Sequence, residues 1–205
     1  MENLLLIFTR NPELGKCKTR LAATVGDKAA LNIYTFLLRH TVKITKDLPV
    51  DKQVCYSERI RENDLWDASV FAKCKQQGDD LGQRMYNAFA QAFAVGYKKV
   101  IIIGSDMYDL NSTDLKNAFD LMDHNDVVVG PATDGGYYLL GMTQLNKNLF
   151  LNKDWGNASV LSSTLADLKT ETVALLDERN DVDYYEDIAD IAVFKKFFPK
   201  TLQTR

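Results

Sequence analysis

Val100-Ile101-Ile102-Ile103-Gly104-Ser105-Asp106 decides how this chain is read. Four consecutive β-branched residues suit a strand buried on both faces of a parallel sheet, where polar alternation disappears. Such a strand ends in a carboxylate where its carboxyl end opens onto water, a cation or a substrate. In open α/β sheets that edge is where ligands sit. Asp106 is therefore a candidate ligand for Mg²⁺ or Mn²⁺, hard cations that take one or two carboxylates together with phosphate oxygens. The alternative duty, a turn or helix cap, falls more naturally to Asp109, Asn111 or Ser112.

Working outward, strand and helix patterns alternate. Asn3 to Phe8 reads as a strand. Asp27 is placed to cap a helix of about twenty residues, with Ala30, Leu31, Tyr34, Leu37, Leu38 and Val42 on its inner side. Gln53 to Tyr56 and Ala72 to Gln76 are short strands. Asp79 or Asp80 opens a helix that buries Leu81, Met85, Phe89 and Ala92 and stops at Gly96. After the central strand, Asn111 or Ser112 caps a helix burying Leu115, Ala118 and Phe119. Asp126–Gly130, Tyr137–Gly141 and Thr172–Leu175 are further strands. A helix is expected from Asn157 to about Leu168 and a last one from Tyr184 to Phe198. This order predicts an α/β domain with a mostly parallel sheet sandwiched between helices, one domain over residues 1–205.

Composition narrows the classes. The 205 residues, 46% hydrophobic and 26% charged, suit one packed globular domain. A net charge of −3 argues against a nucleic-acid binder, whose footprint would be basic. The three cysteines, Cys17, Cys55 and Cys74, form no CxxC pair and leave one over in any disulfide scheme, as expected of a cytoplasmic protein. Cys17 lies between two lysines and reads as a small loop residue rather than a nucleophile, since no histidine follows nearby. The apolar start, Leu4 to Phe8, is too short for a membrane span and lacks the features of a leader.

Charge is uneven, however. The loop after the first strand, Thr9-Arg10-Asn11-Pro12-Glu13-Leu14-Gly15-Lys16-Cys17-Lys18-Thr19-Arg20, carries four cations and a glycine to the sheet's carboxyl edge. Gly15 permits close backbone approach, and Lys16, Lys18 and Arg20 suit phosphate oxygens. It is not a P-loop: Arg10 stands where the first glycine belongs, and Cys17 where Ser or Thr should follow the lysine. A solvated basic loop is the competing reading. Asp134-Gly135-Gly136-Tyr137 is either a hairpin turn or an acceptor site with exposed backbone N–H groups. Asp181-Val182-Asp183 is either a solvated acidic face or the completion of a metal site with Asp106, Asp183 being favoured. His40 and His124 have no ligand spacing.

Taken together, Pro12-x-x-Gly15-Lys16-x-Lys18-Thr19-Arg20-Leu21, Gly78-x-Asp80-Leu81-Gly82-x-Arg84-Met85, Gly104-Ser105-Asp106 and Gly130-Pro131-Ala132-x-Asp134-Gly135-Gly136-Tyr137-Tyr138 resemble a bacterial family of proposed glycosyltransferases. These are of the radical-SAM and selenodomain-associated transferase type, with a nucleotide-diphospho-sugar transferase (GT-A) fold. The resemblance implies a Rossmann-like sheet binding a nucleotide or nucleotide-sugar donor with Mg²⁺ or Mn²⁺. It places Thr9, Arg10, Gly15, Lys16, Lys18, Arg20, Asp80 and Arg84 on the nucleotide, and Asp106 on the metal. Gly135, Gly136 and Tyr137 would face a small-molecule acceptor, with Asp134 orienting or deprotonating it. One departure stands out: the family continues Gly-Ser-Asp with a residue and then proline, where this chain has Met107-Tyr108, predicting a looser loop. The expected function is a metal-dependent glycosyltransferase. A nucleotidyltransferase and a catalytically decayed nucleotide-binding module are the alternatives.

Overall fold

The computed structural model describes residues 2–203. Its elements run β1 (Asn3–Thr9), α1 (Thr19–Val25), α2 (Asp27–Thr45), β2 (Asp51–Tyr56), β3 (Ala72–Lys75), α3 (Leu81–Val95), β4 (Lys99–Ile103), α4 (Ser112–Leu121), β5 (Val127–Pro131), β6 (Tyr137–Met142), α5 (Val160–Asp167), β7 (Val173–Leu175) and α6 (Lys200–Gln203). Seven strands form one sheet in the order β3-β2-β1-β4-β6-β5-β7. All pairings are parallel except those of β6, which runs antiparallel to both β4 and β5. A mostly parallel α/β sheet flanked by helices is the expected fold.

The β-branched strands are buried on both faces, as their composition demands. Leu5, Ile7, Ile101 and Ile103 meet Tyr34 and Leu38 of α2 and Leu115, Ala118 and Phe119 of α4. Leu4, Leu6, Val100 and Ile102 meet Met85, Phe89 and Ala92 of α3, with Leu149 and Phe150. Each fully buried side chain of this size contributes about 1.5–3 kcal/mol. From β1 the chain goes on to one half of the sheet, β2 and β3, then returns through α3 to β4 on β1's other side. The carboxyl ends of β1 and β4 therefore border the crevice where such sheets bind ligands.

Helix starts follow their capping chemistry. Asp80 caps α3, its carboxylate accepting from the Gln83 backbone N–H at 2.8 Å. Asn111 caps α4 in a reciprocal box with Asp114. Asp27 is the first residue of α2 rather than its cap; Gly26 (φ +84°) separates α2 from α1, a short helix where the sequence reading placed only loop. Helix α5 starts at Val160, three residues later than expected.

The expected Tyr184–Phe198 helix does not form. Turns occupy its first half, a 3₁₀ helix spans Ala192–Phe197, and α6 follows. The Asp187 carboxylate accepts from the backbone N–H groups of Asp183 and Tyr184, a local bond that competes with helix. The buried anchors Val182, Ile188, Phe194 and Phe198 clamp this segment over Leu21 and Val25 of α1 and Ile33 and Leu37 of α2. That clamp brings the acidic stretch back to the β4 edge.

Candidate active site

The site begins with a buried hydroxyl cluster that ties β1 to β4. The Thr9 hydroxyl lies 3.3 Å from Tyr34 Oη and 3.3 Å from Ser105 Oγ, with Tyr34 Oη 3.2 Å from Ser105 Oγ. Tyr34 Oη also accepts from the Arg10 backbone N–H at 2.9 Å. Thr9 and Ser105 thus spend their hydroxyls on position. Gly104 has a steric reason: a Cβ there would stand 2.8 Å from Asp106 Oδ1. Its absence lets the carboxylate fold back along the strand end.

Lys18 meets that carboxylate. Its Nζ lies 2.8 Å from Asp106 Oδ2 and 3.6 Å from Asp183 Oδ1, and its side chain is only 7% exposed. Burial alone would lower its pKa; Asp106, Asp183 and Asp181 outweigh that and hold it above the ordinary lysine value. Lys18 is also the residue before α1 and adopts φ +50°, a left-handed conformation costing a non-glycine residue roughly 1 kcal/mol. The ion pairs offset that strain. Arg20, at the start of α1, donates to Asp183 Oδ2 at 2.6 Å and lies over the Tyr184 ring at 5.5 Å.

Two cavities meet at Asp106. The larger, about 700 Å³, is a polar cleft lined by the cations Arg10, Lys18, Arg20 and Arg84 and by the carboxylates of Glu58, Asp79, Asp80, Asp106 and Asp183, with Thr9 and Ser105 also in its wall. The smaller, about 240 Å³, is mostly apolar and aromatic, with the carboxylates of Asp106, Asp134 and Asp181 and the Asn157 amide in its wall. Phe8, Leu81, Gly104 and Asp106 line both.

Not every expected residue reaches the cleft. Lys16 bonds Glu13 at 2.9 Å with its side chain 73% exposed, so it belongs to the outer face of the loop. Gly15 (φ +73°) makes the turn and does not line either cavity. Asp80 and Arg84 line the cleft but carry structural bonds as well: the α3 cap, and Arg84 Nε to the Gly78 carbonyl at 3.0 Å. Cys17 is buried, and burial raises its thiol pKa despite Lys18 and Arg10, which agrees with a packing role. His40 holds the Leu110 carbonyl at 2.8 Å.

The glycine pair at 135–136 forms the hairpin turn, and its backbone N–H groups are not exposed for an acceptor: the Gly135 N–H donates to the Ala132 carbonyl at 3.0 Å. The pair turns β5 into antiparallel β6, with the Gly136 N–H donating to Asp134 Oδ1 at 2.8 Å. Asp134, Gly136 and Tyr137 also line the smaller cavity. Gly135 does not line it; its missing Cβ leaves room for Ala158, whose carbonyl oxygen would be 2.3 Å away. Gly82 plays the same part for Trp155, which would lie 2.6 Å from a Cβ there.

Asp181 is the residue that sequence reasoning undervalued. It shares the cavity wall with Asp106 and Asp134, and burial plus their negative charge pushes its carboxyl up to about 6. Its neighbour Asp183 is engaged by Arg20 and Lys18. The signal was present as alternation: in an extended Asp-Val-Asp stretch the buried Val182 fixes both acids on the opposite face. As a fit test for Mg²⁺ or Mn²⁺, the donors are hard oxygens of the right kind. Among the described residues no group of three or more ligating side chains is assembled, so two carboxylates would need oxygens of a ligand to complete a shell.

The Met107-Tyr108 departure does not leave the loop loose. Met107 is buried, and the Tyr108 ring packs at 4.9 Å from Phe194 and 6.0 Å from Phe36. The Val182 N–H donates to the Asp106 carbonyl at 3.3 Å. Aromatic packing replaces the rigidity a proline would give.

Residues 40–157 match a family described as an uncharacterized protein conserved in bacteria, DUF2064. The chain belongs to that family. A crystal structure of a proposed nucleotide-diphospho-sugar transferase from Desulfovibrio desulfuricans G20 superposes with a TM-score of 0.85 at 29% identity, over 98% of this chain and 92% of that one. Two more distant structures share the fold. The inositol-1-phosphate CTP transferase from T. maritima has a TM-score of 0.58 at 16% identity, covering 95% of this chain and 94% of its own. A Mycobacterium tuberculosis H37Rv protein solved as a manganese complex has a TM-score of 0.57 at 13% identity, covering 96% and 97%. No curated protein sequence matches the chain. The GT-A-like family and fold expected from the motifs are those found. Among the described residues no helix is long and apolar enough to cross a membrane.

Proposed function

We propose that residues 1–205 form one transferase domain that uses an activated nucleotide with Mg²⁺ or Mn²⁺, and that it transfers a glycosyl group from a nucleotide sugar. The observation that carries this reading is the cleft at the β1/β4 switch point, whose lining brings Arg10, Lys18, Arg20 and Arg84 together with Asp106. Cations converging on one crevice are what a diphosphate requires, and charge-assisted bonds from them are the strong kind. The name of the Desulfovibrio protein agrees with it.

Roles follow from placement. Arg10, Arg20 and Arg84 offset charge on the leaving diphosphate, and Lys18 adds its charge while holding Asp106 in place. Asp106 and Asp181 would hold the cation; Asp183 keeps Arg20 and Lys18 in position. When bound, the cation supplies further neutralisation of the leaving oxygen. The bond from the sugar's anomeric carbon to the diphosphate oxygen breaks, and one to the acceptor oxygen forms. The acceptor's proton passes to Asp134, and a nucleoside diphosphate leaves. In nucleotidyl transfer the same cations would face pyrophosphate, so the acceptor side separates the two chemistries. The free thiols suit a reducing cytoplasm.

The test is thermal unfolding with ADP, GDP, CDP, UDP and their sugar conjugates, with and without Mn²⁺. A ligand at a hundred times its dissociation constant stabilises by about 2.7 kcal/mol. At least one nucleotide should raise the midpoint, and Mn²⁺ should enlarge the shift. No shift with any of them rejects the reading.

A further inference from the structure

Cys55 of β2 and Cys74 of β3 are partners in register on neighbouring parallel strands, with β3 at the edge of the sheet. We infer that this pair is a reversible dithiol–disulfide site, closed by a hydroperoxide and reopened by a thiol reductant. Partners in register carry their side chains on one face, and neighbouring strands lie about 4.7–4.9 Å apart. That spacing falls inside the Cα separation of about 4.4–6.8 Å that a disulfide spans without moving the backbone. The two sulfurs stand 2.9 Å apart, about 0.9 Å beyond the length of the bond. Gln76, just past β3, fastens the strand ends beside them: its backbone N–H donates to the Tyr56 carbonyl at 2.9 Å and its Nε2 to the Cys55 carbonyl at 2.8 Å.

The two members differ as an attacking and a resolving thiol must. Cys55 is buried, whereas Cys74 is half-buried on a strand with no neighbour beyond it among the described residues, so a small oxidant reaches Cys74 first. The hydrogen bond with Cys55 also holds the Cys74 thiol below the ordinary cysteine value, against the opposing effect of burial, and the same bond raises Cys55 well above it. The Cys74 sulfur attacks one oxygen of hydrogen peroxide; the S–O bond forms as the O–O bond breaks, leaving a sulfenic acid and water. The Cys55 sulfur then attacks the Cys74 sulfur; the S–S bond forms, the S–O bond breaks, and hydroxide leaves as water with the Cys55 proton. The two thiols give up two electrons and two protons, and the peroxide is reduced to water. Cys17 packs with Tyr34 and Leu38 in the core on the sheet's other face and takes no part. A dithiol reductant reverses the reaction through a mixed disulfide.

The test treats the reduced full-length protein with hydrogen peroxide, denatures it, blocks the remaining thiols with N-ethylmaleimide and maps the products by mass spectrometry. The three free thiols should fall to one, with a single cross-link joining Cys55 to Cys74 and a mass lower by two hydrogens before blocking. Dithiothreitol should return all three. Cys17→Ser should leave the reaction unchanged, and Cys74→Ser should leave Cys55 reduced under the same treatment. Three free thiols after peroxide overturn the inference. So does a link that includes Cys17 or joins two chains, or Cys74 carried to sulfinic acid without a link. A Cys74→Ser protein whose Cys55 is oxidised as fast as in the wild type also contradicts it. The thiol count and the cross-link are read on the wild-type protein, whether or not a variant folds.

Discussion

Two cavities share the Asp106 wall, and they are opposites. The cleft on the β1 side is large and polar, lined by Arg10, Lys18, Arg20 and Arg84 together with five carboxylates; the pocket on the β6 side is a third of its volume, mostly apolar and aromatic, and its charged residues are all carboxylates. The difference traces to the chain. The cleft's walls come from loops after parallel strands, where backbone and cations are free to face a ligand. The pocket's walls come from a tight hairpin and the start of α5, packed by Gly135 against Ala158 and by Gly82 against Trp155. One side carries charges of both signs, the other an apolar wall with carboxylates alone. Asp106 stands where the two meet.

The largest expected effect comes from removing that shared carboxylate. Asp106→Asn should cost turnover by roughly 10²–10³-fold, the usual size for losing one electrostatic contributor. It should also erase the Mn²⁺-dependent part of nucleotide stabilisation, with the far-ultraviolet circular dichroism unchanged. Next is Lys18→Met, which leaves Asp106, Asp181 and Asp183 without their buried counter-charge. We expect a fold weakened by about 2 kcal/mol in denaturant titrations, reduced from a fully buried pair because the carboxylates are about one-third exposed. Nucleotide affinity should fall as well.

Arg20→Ala sharpens the contrast between the cavities. It should weaken nucleotide binding about tenfold, near the strength of one charge-assisted bond. An unchanged nucleotide affinity would take Arg20 out of the binding surface of the cleft.

The smallest effect is one of pH. The Asp181 carboxyl is raised to about 6, so the folded state holds that proton more tightly than the unfolded chain does. Its ionisation then costs stability as pH rises from the ordinary carboxylate range through 6. Asp181→Asn should therefore raise the unfolding midpoint at pH 7.5 by a few degrees, about 1 kcal/mol in a chain of this length, and leave it unchanged at pH 4. A midpoint lowered at pH 7.5 would remove Asp181 from the carboxylate cluster.

How much of this was legible beforehand differs between the same two sides. Strand β4 and its terminal Asp106 announced themselves, because a β-branched run has few other uses and a carboxylate after it is exceptional. Lys18 and Arg20 were visible as charge, but not their division of labour with Lys16, since a loop's sequence does not say which way each side chain turns. Only the left-handed Lys18 and the start of α1 at Thr19 settle that. The hairpin at Asp134 was ambiguous on paper because a turn residue can also face a cavity: one aspartate holds the turn and lines the pocket. The C-terminal segment was misread. Its apolar residues look helical in composition, yet Val182, Ile188, Phe194 and Phe198 serve as anchors at uneven spacing, and Asp187 ties the backbone into a turn. Its tertiary docking is what delivers Asp181 and Asp183 to β4, a long-range fact that local periodicity does not encode.

The most direct measurement is a crystal structure with Mn²⁺ and the nucleoside diphosphate that stabilises the protein most, with anomalous scattering used to find the metal. We predict a manganese peak between the carboxylates of Asp106 and Asp181, and diphosphate oxygens within bonding distance of Lys18, Arg20 or Arg84. A diphosphate bound away from the β1/β4 crevice, or a metal that avoids Asp106, would contradict the account.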